Sequence, residues 1–214
     1  MKKRLAFTYV FYFCMTLGLW FADSRFSLDE SQILWLNFVF TVLTIVPIWI
    51  WNRDVLQPRL FRPTMLAGLD GLVVLWIFFR SFANIPNGVV LFFIALVNVA
   101  LVEEIIFRGI FYSSFLEMVS PVRASVLTSV LFTAMHLPRI WFQNEIWFVS
   151  LGCLFALSLF LCLIFYWSRN VLLAGIMHFF MNYFQFSNLF VLIMVFHVVY
   201  LLVLKKWKAR KEAV

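Results

Sequence analysis

The chain has 214 residues, 64% of them hydrophobic and 13% charged, with a mean hydropathy of +0.98. Soluble domains carry roughly 25% charged residues, and a domain of this size leaves much of its surface in contact with water. Composition therefore excludes a soluble enzyme, a disordered chain and a secreted disulfide scaffold, and an integral membrane protein remains. Cys14, Cys153 and Cys162 are scattered through apolar runs and read as small hydrophobes. The net charge of +7 gathers at the two termini and in one loop. No basic stripe interleaved with aromatic residues is present, so nucleic acid is not an expected partner, whereas an anionic cytoplasmic leaflet is.

Met1-Lys2-Lys3-Arg4 followed by the apolar run Leu5 to Ala22 imitates a signal peptide. The run is long and bulky, and Leu19-Trp20-Phe21-Ala22 offers no small-residue cleavage site, so it reads as a retained span. A membrane-crossing helix needs about 20 mostly apolar residues. Further spans are predicted at about 32–51, 65–82, 88–112, 122–138, 146–167, 171–186 and 188–204. The expectation is an all-α, polytopic transmembrane helical bundle of about eight spans, a single integral membrane domain over 1–214. The short seventh and eighth spans could also be one long segment. With the N-terminus inside, the cytoplasmic segments hold thirteen basic residues: Lys2, Lys3, Arg4, Arg53, Arg59, Arg62, Arg123, Arg169, Lys205, Lys206, Lys208, Arg210 and Lys211. The outer loops hold Arg25, Arg80 and Arg139. This bias predicts both termini in the cytoplasm.

A charge at a helix centre costs roughly 2.5–3.5 kcal/mol on insertion scales, so ionisable residues inside spans are functional candidates. The set here is Asp70, Glu103, Glu104, Arg108, His136, His178 and His197, together with the polar Asn182. On a helix Glu104 and Arg108 are i,i+4 neighbours with the acid N-terminal, the better orientation for an ion pair. Glu103 lies about 100° round the helix and is the less compensated acid. Spans four and five turn near Ser120-Pro121. Glu103 before that turn and His136 after it both lie roughly 25 Å away at 1.5 Å per residue, hence at matching depth. His178 reaches the same layer if the hairpin projects past the membrane by about 10 Å. Asp70 and His197 read as packing or topology residues.

Glu103-Glu104-x-x-x-Arg108, Phe132-x-x-x-His136 and His178-x-x-x-Asn182 stand in that order on separate spans. This pattern resembles the three signature motifs of the CPBP family, the CAAX-protease and bacteriocin-processing (Abi) proteins related to type II CAAX prenyl endopeptidases. The resemblance covers about residues 88–190 and none of the first three spans. It implies an intramembrane glutamate-type endopeptidase acting on a membrane-associated peptide or protein. By that analogy Glu103 is the general base for a water, and His136 helps to hold it. His178 and Asn182 polarise the scissile carbonyl and stabilise its oxyanion, while Glu104 and Arg108 hold the helix in place. Bacteriocin or pheromone maturation and self-immunity are the implied bacterial roles, and the short loops look bacterial.

Independent chemistry fits these roles, because donors aimed at a developing oxyanion count most where bulk water is excluded. Two Glu and two His could instead hold zinc, but there is no H-E-x-x-H, and Arg108 beside the acids opposes a cation. No cofactor is therefore expected. A non-enzymatic immunity or scaffold protein and a small transporter or proton relay are the other readings.

Overall fold

The computed structural model describes residues 2–26, 29–56, 65–84, 92, 94–143, 147–184 and 188–212. Among them every regular element is a helix. The chain runs through α1 (Lys2–Phe26), α2 (Glu30–Asn52) and α3 (Met65–Asn84). Next comes α4, a continuous helical stretch over 94–116. It is followed by α5 (Pro121–Met135), the short α6 (Leu137–Gln143), α7 (Trp147–Ser168), α8 (Val171–Phe184) and α9 (Asn188–Glu212). The expected basic residues Arg59 and Arg62 lie outside the described residues, as do 88–91 and 185–186 of two expected spans.

Among the described residues, three stretches are long and apolar enough to cross a membrane: Lys2–Phe26, Trp35–Asn52 and Ser150–Ser168. Leu66–Phe79, Val171–Tyr183 and Val191–Val203 are shorter apolar helices. Large side chains such as Trp35, Phe79 and Leu192 point away from the bundle and are at least 65% exposed. A surface of that kind is suited to acyl chains rather than water. The seventh and eighth apolar segments are seen as α8, to Phe184, and α9, from Asn188, and the residues between them lie outside the described ones.

Local chemistry sets the boundaries. Asp29 caps α2 in a reciprocal capping box with Gln32, satisfying two backbone donors that the helix leaves open. Below it, the Arg4 guanidinium donates to Asp54 at 2.7 Å, tying the start of α1 to the end of α2 and holding the exposed Asp54 carboxyl below its usual pKa. Pro121 opens α5 at a position where its missing N–H is no loss.

The fifth expected span does not continue to residue 138. Pro138 has no N–H to offer the turn before it, and the helix breaks at His136 (φ −90, ψ −5). The His136 N–H closes α5 on the Thr133 carbonyl, and its own carbonyl accepts the Ile140 N–H that opens α6. His136 is thus clamped by backbone bonds between two helices.

Helix α4 is unusually wound. Ile94–Val102 and Ile105–Tyr112 are π-helical, Ser113–Leu116 is α-helical, and Glu103-Glu104 form the junction between the two wide stretches. π-helical insertions are frequently found at functional sites. Helix α5 packs along α7, while α8 packs on the first half of α4. The crossing of α4 and α8 is close because it is made over a glycine: a Cβ on Gly175 of α8 would meet the Leu101 side chain of α4 at 2.5 Å. On α4 itself, a Cβ on Gly109 would meet the Leu56 side chain, just past α2, at 2.9 Å.

Away from α4, His197 on α9 places Nε2 2.8 Å from Asp70 Oδ2 on α3 and Nδ1 2.7 Å from the Ile193 carbonyl. Both side chains are buried. The sequence reading treated the two residues separately, since 127 positions divide them and neither helix periodicity nor spacing couples them. Removing one partner of a buried pair costs about 3–5 kcal/mol, whereas replacing both with apolar residues is often neutral. Asp70→Leu and His197→Leu are therefore each expected to lower the thermal midpoint of the purified protein by more than the double substitution does.

Candidate active site

Two polar groupings meet around Phe132. The first is fully enclosed. Arg108 Nη1 donates to Glu104 Oε1 at 2.7 Å, and neither side chain has any exposure. The other terminal nitrogen, Nη2, donates to the Ser158 carbonyl at 3.0 Å and to its hydroxyl at 2.9 Å, fastening α4 to α7. His178 Nδ1 lies 3.0 Å from the same Glu104 Oε1. A carboxylate only accepts, so Nδ1 is the donor. His178 reaches Glu104 because helical side chains lean toward the N-terminus of their helix, and the Gly175–Leu101 contact lets the helices come together. Glu104 thus ties α4 to α8 while Arg108 ties it to α7.

The second grouping faces open space. Glu103 Oε2 stands 3.9 Å from His136 Nε2, with both side chains 14% exposed. That separation exceeds a hydrogen bond. His136 Nδ1 is 2.8 Å from the Phe132 carbonyl. Since that carbonyl can only accept, Nδ1 carries a proton, and in the neutral ring the Nε2 lone pair is what faces Glu103. The equal depth expected from the hairpin is what allows this meeting.

Phe132 connects the two groupings. Its buried ring is 4.6 Å from the His136 ring, 5.9 Å from that of His178 and 5.0 Å from Phe107, with the Arg108 guanidinium 5.0 Å above it. The aromatic face meets the cation favourably, while the bulk of the ring sets the spacing between the histidines.

Glu103 and His136 line a cavity of about 320 Å³, at the lower end of the range for ligand sites. Its other walls come mainly from α1 and α2: Tyr12, Thr16 and Trp20 on one, Asn37, Thr41 and Thr44 on the other, with Arg139 of α6 over the Trp20 ring. His178 is 3% exposed and faces Glu104 rather than the cavity. Asn182, one turn further along α8, is exposed. Of the six residues singled out by the motifs, the structure gathers five around Phe132 and leaves Asn182 outside.

Among the described residues, no group of three His, Cys, Asp or Glu is arranged to hold a metal. Sequence reasoning missed Ser158, because a lone serine in an apolar helix can satisfy itself on its own backbone and gives no signal. It also missed the cavity wall supplied by α1 and α2, whose Thr and Asn residues are unremarkable one at a time.

Residues 85–184 match the family model of the type II CAAX prenyl endopeptidase Rce1-like proteins. Over this segment, a little under half of the chain, the sequence is similar to the CAAX-protease family. The matched segment contains Glu103, Glu104, Arg108, His136, His178 and Asn182, and it ends at the last residue of α8. Helices α1 to α3, including two walls of the cavity, lie before it. No curated protein and no solved structure matches the chain.

Arg108→Ala would leave Glu104 buried without its cation, a change costing about 3–5 kcal/mol. Arg108→Lys is expected to restore only part of this, since an ammonium cannot reproduce the planar fork that reaches Glu104 and Ser158 together. Thermal unfolding of the three proteins in one detergent should rank wild type above Arg108→Lys, and Arg108→Lys above Arg108→Ala.

Proposed function

We propose that this protein is an intramembrane endopeptidase that hydrolyses a peptide bond of a membrane-associated peptide or protein with a water activated by Glu103. One observation carries the reading. Two hydrogen-bond acceptors, Glu103 Oε2 and His136 Nε2, face each other at 3.9 Å on the wall of a cavity. Acceptors at that distance are reconciled by a molecule donating to both, and water has the two O–H groups to do so.

Glu103 is the general base. It takes one proton as the water oxygen attacks the scissile carbonyl carbon, and later returns that proton to the leaving amine. His136 orients the water through the other O–H, with its ring fixed by the Phe132 carbonyl. Glu104, Arg108 and His178 are positioning residues. Their shared hydrogen bonds hold the helical junction that points Glu103 at the cavity. The reaction requires no metal in this reading, because the carboxylate supplies the base and fixed dipoles supply the charge stabilisation.

The chain crosses the membrane several times with both termini on the cytoplasmic side, following the distribution of basic residues. A partly buried carboxylate beside a cavity also fits a proton relay. The facing lone pair on His136 favours hydrolysis, since it adds a second acceptor for water where a relay needs a donor chain.

A peptide-release assay on purified protein in bilayer discs tests the reading. Glu103→Gln and His136→Ala should each lower turnover, Glu103→Gln by about 10²–10⁴-fold, the usual contribution of a general base. Chelators should leave turnover unchanged. Cleavage by Glu103→Gln at the wild-type rate sinks the mechanism.

A further inference from the structure

His136 and His197 make the same local bond. Each places Nδ1 on the carbonyl four residues back, Phe132 or Ile193, and turns Nε2 toward a carboxylate. The separation at Nε2 differs. Glu103 Oε2 stands 3.9 Å from His136 beside a cavity, whereas Asp70 Oδ2 stands 2.8 Å from His197 with the two side chains 8% and 1% exposed. At 2.8 Å there is no space for a water, and two lone pairs do not meet at a hydrogen-bond distance, so a proton lies between Nε2 and Oδ2. The Ile193 carbonyl only accepts, so Nδ1 carries a proton as well. A neutral imidazole has a single N–H and an ionised carboxylate has none. The pair therefore binds one proton more than neutral histidine and ionised aspartate carry between them. Imidazole is the stronger base of the two, which puts that proton on the ring as an imidazolium beside a carboxylate, with no net charge.

Asp70 and His197 lie before and after the family segment. Their helices, α3 and α9, both pack on α8, which carries His178 and Asn182. Leu66, one turn before Asp70, and Leu201, one turn after His197, share a core with Ile164 of α7 and Leu173 of α8. Among the described residues, the other titratable groups on these packed helices are engaged or placed elsewhere. His178 bonds Glu104, Cys162 and Tyr166 of α7 pack around Tyr112, and Cys153 is exposed. Tyr183 stacks on Phe179, and Tyr200 on Phe196. Along the two helices themselves, Arg80 is ten residues beyond Asp70 and Lys205 eight beyond His197, about 15 and 12 Å of axial rise.

We propose that Asp70 and His197 form a proton-binding latch that joins α3 to α9 and seats α8 against both. The ligand is a proton. In the topology proposed above it is exchanged with the cytoplasmic side, since Asp70 lies near the start of α3 and His197 lies shortly before the basic end of α9. Release of the Nε2 proton to water leaves a carboxylate opposite a lone pair, two acceptors with one negative charge in a sealed site, and the bond between the helices is lost. Uptake of a further proton by the carboxylate removes the charge that the imidazolium faces. The latch is closed between these two limits. The folded protein holds a proton that the unfolded chain gives up at the same pH, so the stability it contributes is present at lower pH and is lost as pH rises. The latch does not depend on the peptidase reading.

Two measurements on the full chain in detergent test it. Nitrogen-15 NMR of histidine-labelled protein counts the hydrogens bonded to each ring. The His197 signals are those missing from the Asp70→Leu/His197→Leu double variant. Near neutral pH they should show a bonded hydrogen on both ring nitrogens, and the one on Nε2 should disappear in alkaline solution. The thermal midpoints of wild type and double variant are then compared from about pH 6 to about pH 10. The apolar pair cannot titrate and sets the baseline, against which wild type should fall by about 5–15 °C as pH rises. A His197 ring with a single bonded hydrogen near neutral pH overturns the proposal, as does a difference in midpoint that does not change with pH. Should the double variant not fold, His136→Ala and His178→Ala identify the other two histidines, His197 follows by elimination, and the wild-type NMR titration decides.

Discussion

The arrangement depends on a single oxygen. Glu104 Oε1 receives Arg108 at 2.7 Å and His178 at 3.0 Å in a region sealed from solvent. Taking charges out of water costs several kcal/mol per ion, and only good geometry with further hydrogen bonds offsets this. Ser158 contributes two of those bonds, and the Phe132 ring lies beneath the guanidinium. Because the partners come from α4, α7 and α8, satisfying the charge also joins three helices. In an apolar bundle, where helices gain little from hydrophobic contact with one another, such polar ties and close small-residue packing decide how helices assemble.

Two adjacent carboxylates have been given opposite surroundings. Glu104 points inward to a fixed cation and a histidine donor. Glu103 lies about 100° round the helix, facing a cavity and a histidine that offers a lone pair. The backbone of α4 contributes through its two wide π stretches, which meet at this dipeptide. The enclosed ion pair supplies rigidity, and the neighbouring carboxylate retains access to water. Rigid support close to that carboxylate is what the proposed hydrolysis requires.

Burial separates the remaining charges in the same way. Arg4 and Asp54 meet at an exposed end, where an ion pair contributes little. Asp70 and His197 meet in the interior, where each needs the other. The apolar surface is extensive because the solvent over most of it is lipid. Helices α1 and α2 illustrate the point. Thr16, Asn37, Thr41 and Thr44 lie along cavity walls, and Asn52 donates to Thr8 in the interior, rather than facing acyl chains.

Much of this was legible in the sequence. Apolar run length located the helices, because a helix in lipid must satisfy its own backbone and its length must match the bilayer. Helical spacing paired Glu104 with Arg108, and counting from the Ser120-Pro121 turn put Glu103 level with His136. Only the tertiary structure decided which side chain Glu104 shares with α8, that Ser158 holds Arg108, that Asp70 finds His197, and that Asn182 stays outside. It also decided that α1 and α2 wall the cavity. Spacing along one helix is a local geometric quantity, and residues on the same helix carry it in their numbering. Contact between helices far apart in the chain depends on crossing angles and on glycines such as Gly175 that permit close approach. No periodicity encodes those contacts.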